Sequence, residues 1–187
     1  MDYTVKRSNR RSISLELTRS GGLLIRAPRH ASMAEIERFV QKHRRWIETH
    51  QQKLANDQAA AAREGMLTDA DIQALTVQAK IDIPRRVAHY APLLGLRPDQ
   101  VGRITIRCQK TRWGSCSSKG NLNFNCLLML TPPEVIDSIV VHELCHLKEM
   151  NHSMRFYEEV LRVYPEYHKW HCWLKEHGGA IMKRAFD

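Results

Sequence analysis

Three residues in one short stretch can do chemistry together. They are His142, Glu143 and His146, within Val140-Val141-His142-Glu143-Leu144-Cys145-His146-Leu147. On an α-helix, residues four apart lie one turn above each other on the same face. His142 and His146 can therefore aim two imidazoles at one point. That suits Zn2+, a borderline-soft ion that takes nitrogen ligands in tetrahedral geometry. Glu143 is turned onto the neighbouring face, where it can reach a water on the ion without being a ligand. His-Glu-x-x-His is thus the layout of a metal-assisted hydrolase. The bland alternative is a buried helix with two satisfied core histidines. A carboxylate beside them in an apolar helix is costly unless something binds it, and this favours the metal.

A catalytic zinc usually keeps three protein ligands and one open position. Asn151 is a helix stop, because Asn tolerates the left-handed conformation. His152 follows at once, six residues after His146. A chain turning back at Asn151 would bring His152 under the ion. Glu158, Glu159, His168 and His171 compete for the role, but the spacing favours His152.

These residues need a rigid, buried carrier. Thr131-Pro132-Pro133-Glu134 reads as its start, with a capping-box Thr, prolines in the first turn and Glu three residues on. Val135, Ile136, Ile139, Val140, Leu144 and Leu147 make the helix apolar on most sides out to about Met150, so it should be central. Upstream, Gly102–Cys108 alternates with period two. So does Asn121–Met129, with Leu122, Phe124, Cys126 and Leu128 on one face and Asn121, Asn123 and Asn125 on the other. The pattern predicts an antiparallel pair packed against the metal helix. The Asn face either lines a wet groove or is an exposed edge. After His152, Ser153 caps one helix and Pro165 begins a last one, ending near Gly178-Gly179.

The N-terminal part is organised separately. Tyr3 to Ala27 reads as two strands in a basic hairpin, with Ser20-Gly21-Gly22 as its turn. Ser32 and Glu35 form a capping box for a helix running through Leu54. Lys42, Arg44 and Arg45 give that helix a basic side, which is a solvated face or a site for nucleic acid or another polyanion. Residues 56–65 have no apolar face and read as a helix tail or linker. A further helix begins near Thr68, and Pro84 is expected to kink or split it.

Composition sets bounds on all of this. The chain has 187 residues, 43% hydrophobic and 26% charged, the balance of a soluble globular protein. Its net charge of +9 favours an anionic partner or substrate but says nothing about fold. Five scattered cysteines without a Cys-x-x-Cys pair fit reduced thiols. No segment resembles a signal peptide or is long and apolar enough to cross a bilayer, so the expectation is a cytoplasmic protein with no membrane partner.

Taken together, certain runs are recognisable. Thr111-Arg112-Trp113-Gly114-Ser115-Cys116-Ser117, Asn121-Leu122-Asn123-Phe124-Asn125, Pro133-Glu134-Val135-Ile136-Asp137, the His142–His146 motif and Asn151-His152-Ser153 resemble the YgjP-like metallopeptidase family. That family is similar to the SprT-like and WLM zinc metallopeptidases. The resemblance spans nearly the whole chain and is sharpest from Ile104 to Phe156. It implies an α+β fold with a zincin-like core: a small antiparallel sheet packed on the motif helix, plus an N-terminal hairpin-and-helix lobe. On this view residues 1–187 form one domain with sub-lobes 1–55 and 66–187. The resemblance further implies zinc, or another divalent transition metal, held by His142, His146 and His152, with Glu143 as general base.

Two activities share that chemistry. A peptidase would hold an extended peptide along a sheet edge, with the strand from Asn121 to Met129 as candidate. A nucleoside triphosphate pyrophosphohydrolase, of the UTP type linked to some family members, would need cationic clamps, for which Arg112, Lys119, Arg7 and Arg11 are available. A third reading is a non-enzymatic binding module whose zinc is structural, closed by Cys116 as fourth ligand. Candidate substrate contacts are Arg112, Trp113, Asn123, Asn125 and Tyr157.

Overall fold

The computed structural model describes residues 2–18 and 20–186. The chain divides into two compact units, residues 1–63 and 64–187. The first unit reaches past residue 55 because the Ala- and Gln-rich segment continues a helix to Glu64.

The first unit is built on three strands rather than two. These are β1 (Tyr3–Ser8), β2 (Ser14–Leu17) and β3 (Leu23–Pro28). Strand β3 is central, antiparallel to β2 and parallel to β1. The alternation Leu23, Ile25, Ala27 puts one face of β3 in the core. The β1 segment hides from a hydropathy reading because Lys6, Arg7 and Ser8 at its end are all exposed. Helix α1 (Met33–Lys42) starts at Ser32, whose capping box with Glu35 is complete. His43 then interrupts the run, and α2 (Arg44–Glu64) follows. Ile36, Val40 and Ile47 from these helices cover the sheet residues in a small separate core.

The second unit contains α3 (Asp69–Leu93), β4 (Ile104–Arg107), β5 (Gly114–Cys116), β6 (Leu122–Asn125), α4 (Pro133–Cys145), α5 (Met154–Val163) and α6 (Tyr167–Ala185). A capping box between Thr68 and Asp71 opens α3. This helix runs uninterrupted across Pro84 and Pro92, and Pro84 does not split it. The stripe Ala79, Ile83, Val87 and Ala91, spaced four apart, is buried in the main core. That packing outweighs the backbone hydrogen bond each proline removes.

The sheet departs from the expected antiparallel pair. Its order is β4-β6-β5, with β6 parallel to β4 and antiparallel to β5. The cause is β5, three residues long and made of Gly, Ser and Cys, which shows no apolar alternation. It turns the chain once more, so β6 runs in the direction of β4. Nor does β6 reach Met129: after Asn125 the chain enters 3-10 turns from Cys126 to Leu130.

Helix α4 is central, packed by α3, α5, α6 and β5. Val135, Val140, Val141, Leu144 and Cys145 are fully buried. Its start differs from the expected capping box. Pro132 is the N-cap, and the Thr131 hydroxyl donates instead to the Leu128 carbonyl at 2.7 Å. Arg86 of α3 clamps the helix, pairing with Asp137 at 2.6 Å and donating to the Pro133 carbonyl at 3.0 Å. Among the described residues, no helix is long and apolar enough to cross a membrane.

Candidate metal centre

Helix α4 ends at Cys145, so His142 lies in its last turn and His146 is its C-cap. The chain then tightens into three-residue turns: Leu147 N–H donates to Leu144 C=O and Lys148 N–H to Cys145 C=O, both at 3.0 Å. Asn151 is not left-handed; no non-glycine residue has positive φ among the described residues. What redirects the chain is this tightened turn and the cap of α5, where Ser153 Oγ accepts from the Phe156 amide. Lys148 fastens the turn, donating to the Leu94 carbonyl at 3.2 Å and pairing with Glu159 at 2.6 Å. Glu159 is thereby occupied by Lys148 and Arg162.

The result is a three-histidine cluster. One ring nitrogen from each of His142, His146 and His152 lies within 4.8 Å of the others. The Nε2 atoms of His142 and His152 face each other at 3.1 Å. Two ligands of a tetrahedral zinc with bonds of about 2.0–2.1 Å sit roughly 3.3 Å apart. The His142–His152 pair already has that spacing, and His146 offers the third nitrogen within 4.8 Å. Phe156, fully buried, packs against all three imidazoles at centroid distances of 4.9, 4.6 and 4.9 Å.

On His142 and His146 the opposite ring nitrogen is also engaged. His142 Nδ1 lies 2.8 Å from Tyr167 Oη, and His146 Nδ1 lies 3.1 Å from the Glu149 carbonyl. A proton on each Nδ1 leaves Nε2 with its lone pair free, and the partner fixes the ring's direction. Burial, and then the neighbouring histidines, push His142 down to about 3. His146 is also lowered, chiefly by burial. Both rings are neutral at physiological pH, the state a metal requires.

Glu143 is 6% exposed, and burial pushes its carboxyl up to about 8, against a smaller opposing pull from Arg112. It stands directly over Gly114 of β5: a Cβ at that position would lie 2.5 Å from its Oε1. Gly114 is thus required by close approach. Together these groups line an open cavity of about 290 Å3, with Arg112, Ser115, Cys116 and Met150 completing the wall.

The candidate substrate contacts fare unequally. Arg112 lines this cavity. Asn123 is half-buried, its amide 3.4 Å from Ser115 Oγ. Tyr157 lies near the cluster, its ring 6.2 Å from that of His152. Trp113 packs instead under α6, where a Cβ on Gly178 would come within 3.0 Å of the indole. Asn125 is fully buried, and its side chain is used up by the fold. It donates to the Gln109 and Arg112 carbonyls at 2.7 and 3.0 Å and accepts from the Leu127 amide at 3.2 Å. Neither an exposed edge nor a wet groove describes its position. His168 and His171 lie outside the cluster, although His171 Nδ1 is 3.4 Å from Tyr167 Oη.

Cys116 does not join the three histidines. Its thiol, pushed up to about 11 by burial and the Glu143 charge, points to the Ser117 carbonyl at 3.5 Å. Sequence reasoning missed Tyr167 and Phe156 as supports of the three histidines. No local motif marks either one. The Gly of Trp-Gly-Ser-Cys was the available signal for the approach to Glu143.

A model of the YgjP-like metallopeptidase domain matches residues 11–73 and 66–177. The chain belongs to the YgjP-like metallopeptidase family. The family places it among metal-dependent peptidases, and the three-histidine cluster is consistent with that class. No curated protein matches the chain. Among solved structures, the YgjP-like chain is similar to the metallopeptidase zymogen abylysin of Pyrococcus abyssi. Identity is 30%, over 46% of this chain and 85% of that one, with a TM-score of 0.42. It is also similar to the metallopeptidase zymogen jannalysin of Methanocaldococcus jannaschii, with 24% identity over 50% and 94% of the two chains and a TM-score of 0.45.

Proposed function

We propose that this YgjP-like chain is a zinc peptidase in which His142, His146 and His152 hold the ion and Glu143 is the general base. The observation that carries the reading is the meeting of Glu143 with three imidazoles in one cavity, a meeting that the missing side chain of Gly114 leaves room for. When bound, zinc lowers the pKa of a coordinated water to about 7 and polarises a carbonyl oxygen. Glu143, held in an apolar setting, takes the attacking water's proton and returns it to the leaving amine. Arg112, exposed at the cavity wall, is placed to stabilise negative charge on the substrate.

Peptide is favoured by the sheet. Strand β6 pairs on both sides and cannot take a guest strand, which excludes the Asn121–Met129 segment as the docking edge. Among the described residues, strand β5 pairs with β6 alone, and it borders the cavity through Gly114, Ser115 and Cys116. An extended peptide added to that edge would pass the three histidines. The phosphoanhydride alternative has less support. Of its proposed clamps in the second unit, Arg112 lines the cavity and Lys119 does not, and Arg7 of the first unit is engaged by the Pro28 and Ala31 carbonyls.

The test is a denatured-proteome digest read by mass spectrometry, using zinc-loaded wild type and Glu143→Gln. Cleavage by the wild type and about 10²- to 10⁴-fold less by the variant is expected. Equal cleavage by both, or none by a wild type that holds zinc, would overturn the proposal. Nucleotide hydrolysis assayed in parallel, if lost in the variant while peptides stay intact, would favour the other substrate.

A further inference from the structure

The chain's charge is unevenly placed. Residues 1–63 hold thirteen Lys and Arg against six Asp and Glu, so +7 of the chain's +9 lies in the first third. None of this is used by the metal centre. Much of it gathers on one side of the two helices of the first unit. Ile36, Val40 and Ile47 turn inward and are buried. Arg38 and Lys42, one turn apart on α1, are exposed, as are Arg45, Trp46, Thr49 and His50 in the first two turns of α2.

The carboxylates of these helices are diverted. Glu35 caps α1, and Glu48 pairs with Arg44 at 2.8 Å. Glu37 projects about 100° around the helix from Arg38. Among the described residues, Arg38, Lys42 and Arg45 form no ion pair.

Next to Arg45 on the same helix, one turn before His50, stands an aromatic platform. Trp46 is 41% exposed, and His50 stacks on it with centroids 3.8 Å apart and planes 24° from parallel. The His50 ring is held there by Nδ1, 2.8 Å from the Trp46 carbonyl. An exposed indole contributes little to a small core of seven buried residues on the other side of the helix. Flanked by unpaired cations, it is the combination that receives unstacked bases, whose faces are hidden in a duplex.

We infer that the first unit binds single-stranded nucleic acid, with Arg38, Lys42 and Arg45 on the phosphates and Trp46, braced by His50, stacking on a base. The surface is independent of the peptidase reading, because it shares no residue with the metal centre and its assay involves no turnover.

The test uses the full chain and a fluorescein-labelled, mixed-sequence DNA strand of about 20 nucleotides, followed by anisotropy. Saturable binding is expected. Three phosphate contacts predict a slope of log affinity against log salt of about −2. Lys42→Glu with Arg45→Glu should weaken binding at least roughly ten-fold, and Trp46→Ala roughly five-fold or more, while Trp46→Phe keeps most of the affinity. A duplex of the same length should bind at least ten-fold more weakly. Thermal melts matching the wild type's establish that the variants fold; a variant that does not is replaced by Lys42→Gln with Arg45→Gln. Four results would overturn the inference. These are no saturable binding near 100 mM salt, affinity unchanged in the variants, equal affinity for duplex, or Trp46-dependent binding to phosphatidylserine vesicles without binding to the strand.

Discussion

Removing the charge of Glu143 should stabilise the metal-free protein increasingly as pH rises above about 4.5. The carboxyl is 6% exposed and pushed up to about 8 by burial, against an ordinary value of 4.5. The folded-state value is the higher one. Between pH 4.5 and 8 the unfolded chain therefore releases a proton that the folded chain keeps. The stability this group contributes is complete below 4.5 and is lost as pH rises through about 8. At about 1.4 kcal/mol for each tenfold difference in proton affinity, the ceiling is about 5 kcal/mol. Relaxation and water penetration around a buried charge reduce that to roughly 2–3 kcal/mol. For a chain of this size the melting temperature should change by about 5–10 °C. Glu143→Gln is neutral throughout and should not show the decline. The measurement is scanning calorimetry of chelator-treated wild type and variant from pH 4.5 to 9. A constant offset between them reflects amide packing; the gap must widen with pH in favour of the variant. Parallel curves would refute the claim that burial governs Glu143. Restoring zinc should flatten the wild-type curve, since an adjacent dication favours the ionised carboxylate.

Three further outcomes follow from named contacts. Tyr167→Phe removes the partner of His142 Nδ1 and should weaken zinc affinity about 10- to 100-fold, measured by competition with a chromogenic chelator. Gly114→Ala forces a methyl group against Glu143 Oε1; it should cost about 1–3 kcal/mol in a denaturant titration and abolish turnover while zinc stoichiometry stays at one. Asn125→Ala leaves two carbonyls and one amide without their partner; it should destabilise by roughly 2–4 kcal/mol.

The three-histidine cluster was legible because its parts are local. His142, Glu143 and His146 share one helix end, and His152 follows within a turn and a cap. The apolar character of α4 also announced a central helix, and its burial agrees. Two kinds of feature were not legible. The first is pairing set by very short segments: β5 is three residues of Gly, Ser and Cys, with no period to read, yet it reverses the relation of β6 to β4. The second is support from a distance. Tyr167 is 25 residues from His142 in sequence, and only the packing of α6 on α4 brings its hydroxyl to the ring. Asn125 misled for a related reason. Its polarity suggested a surface, whereas its amide is the connector that holds the loop carrying Arg112.

One residue with no polar atom in its side chain has the widest reach at the centre. Phe156 touches every member of the histidine trio. Rings leaning on a common wedge cannot drift one at a time. Loading and release of an ion should then behave as a single concerted event, with no long-lived two-ligand state, and a smaller side chain at Phe156 should loosen all three grips at once.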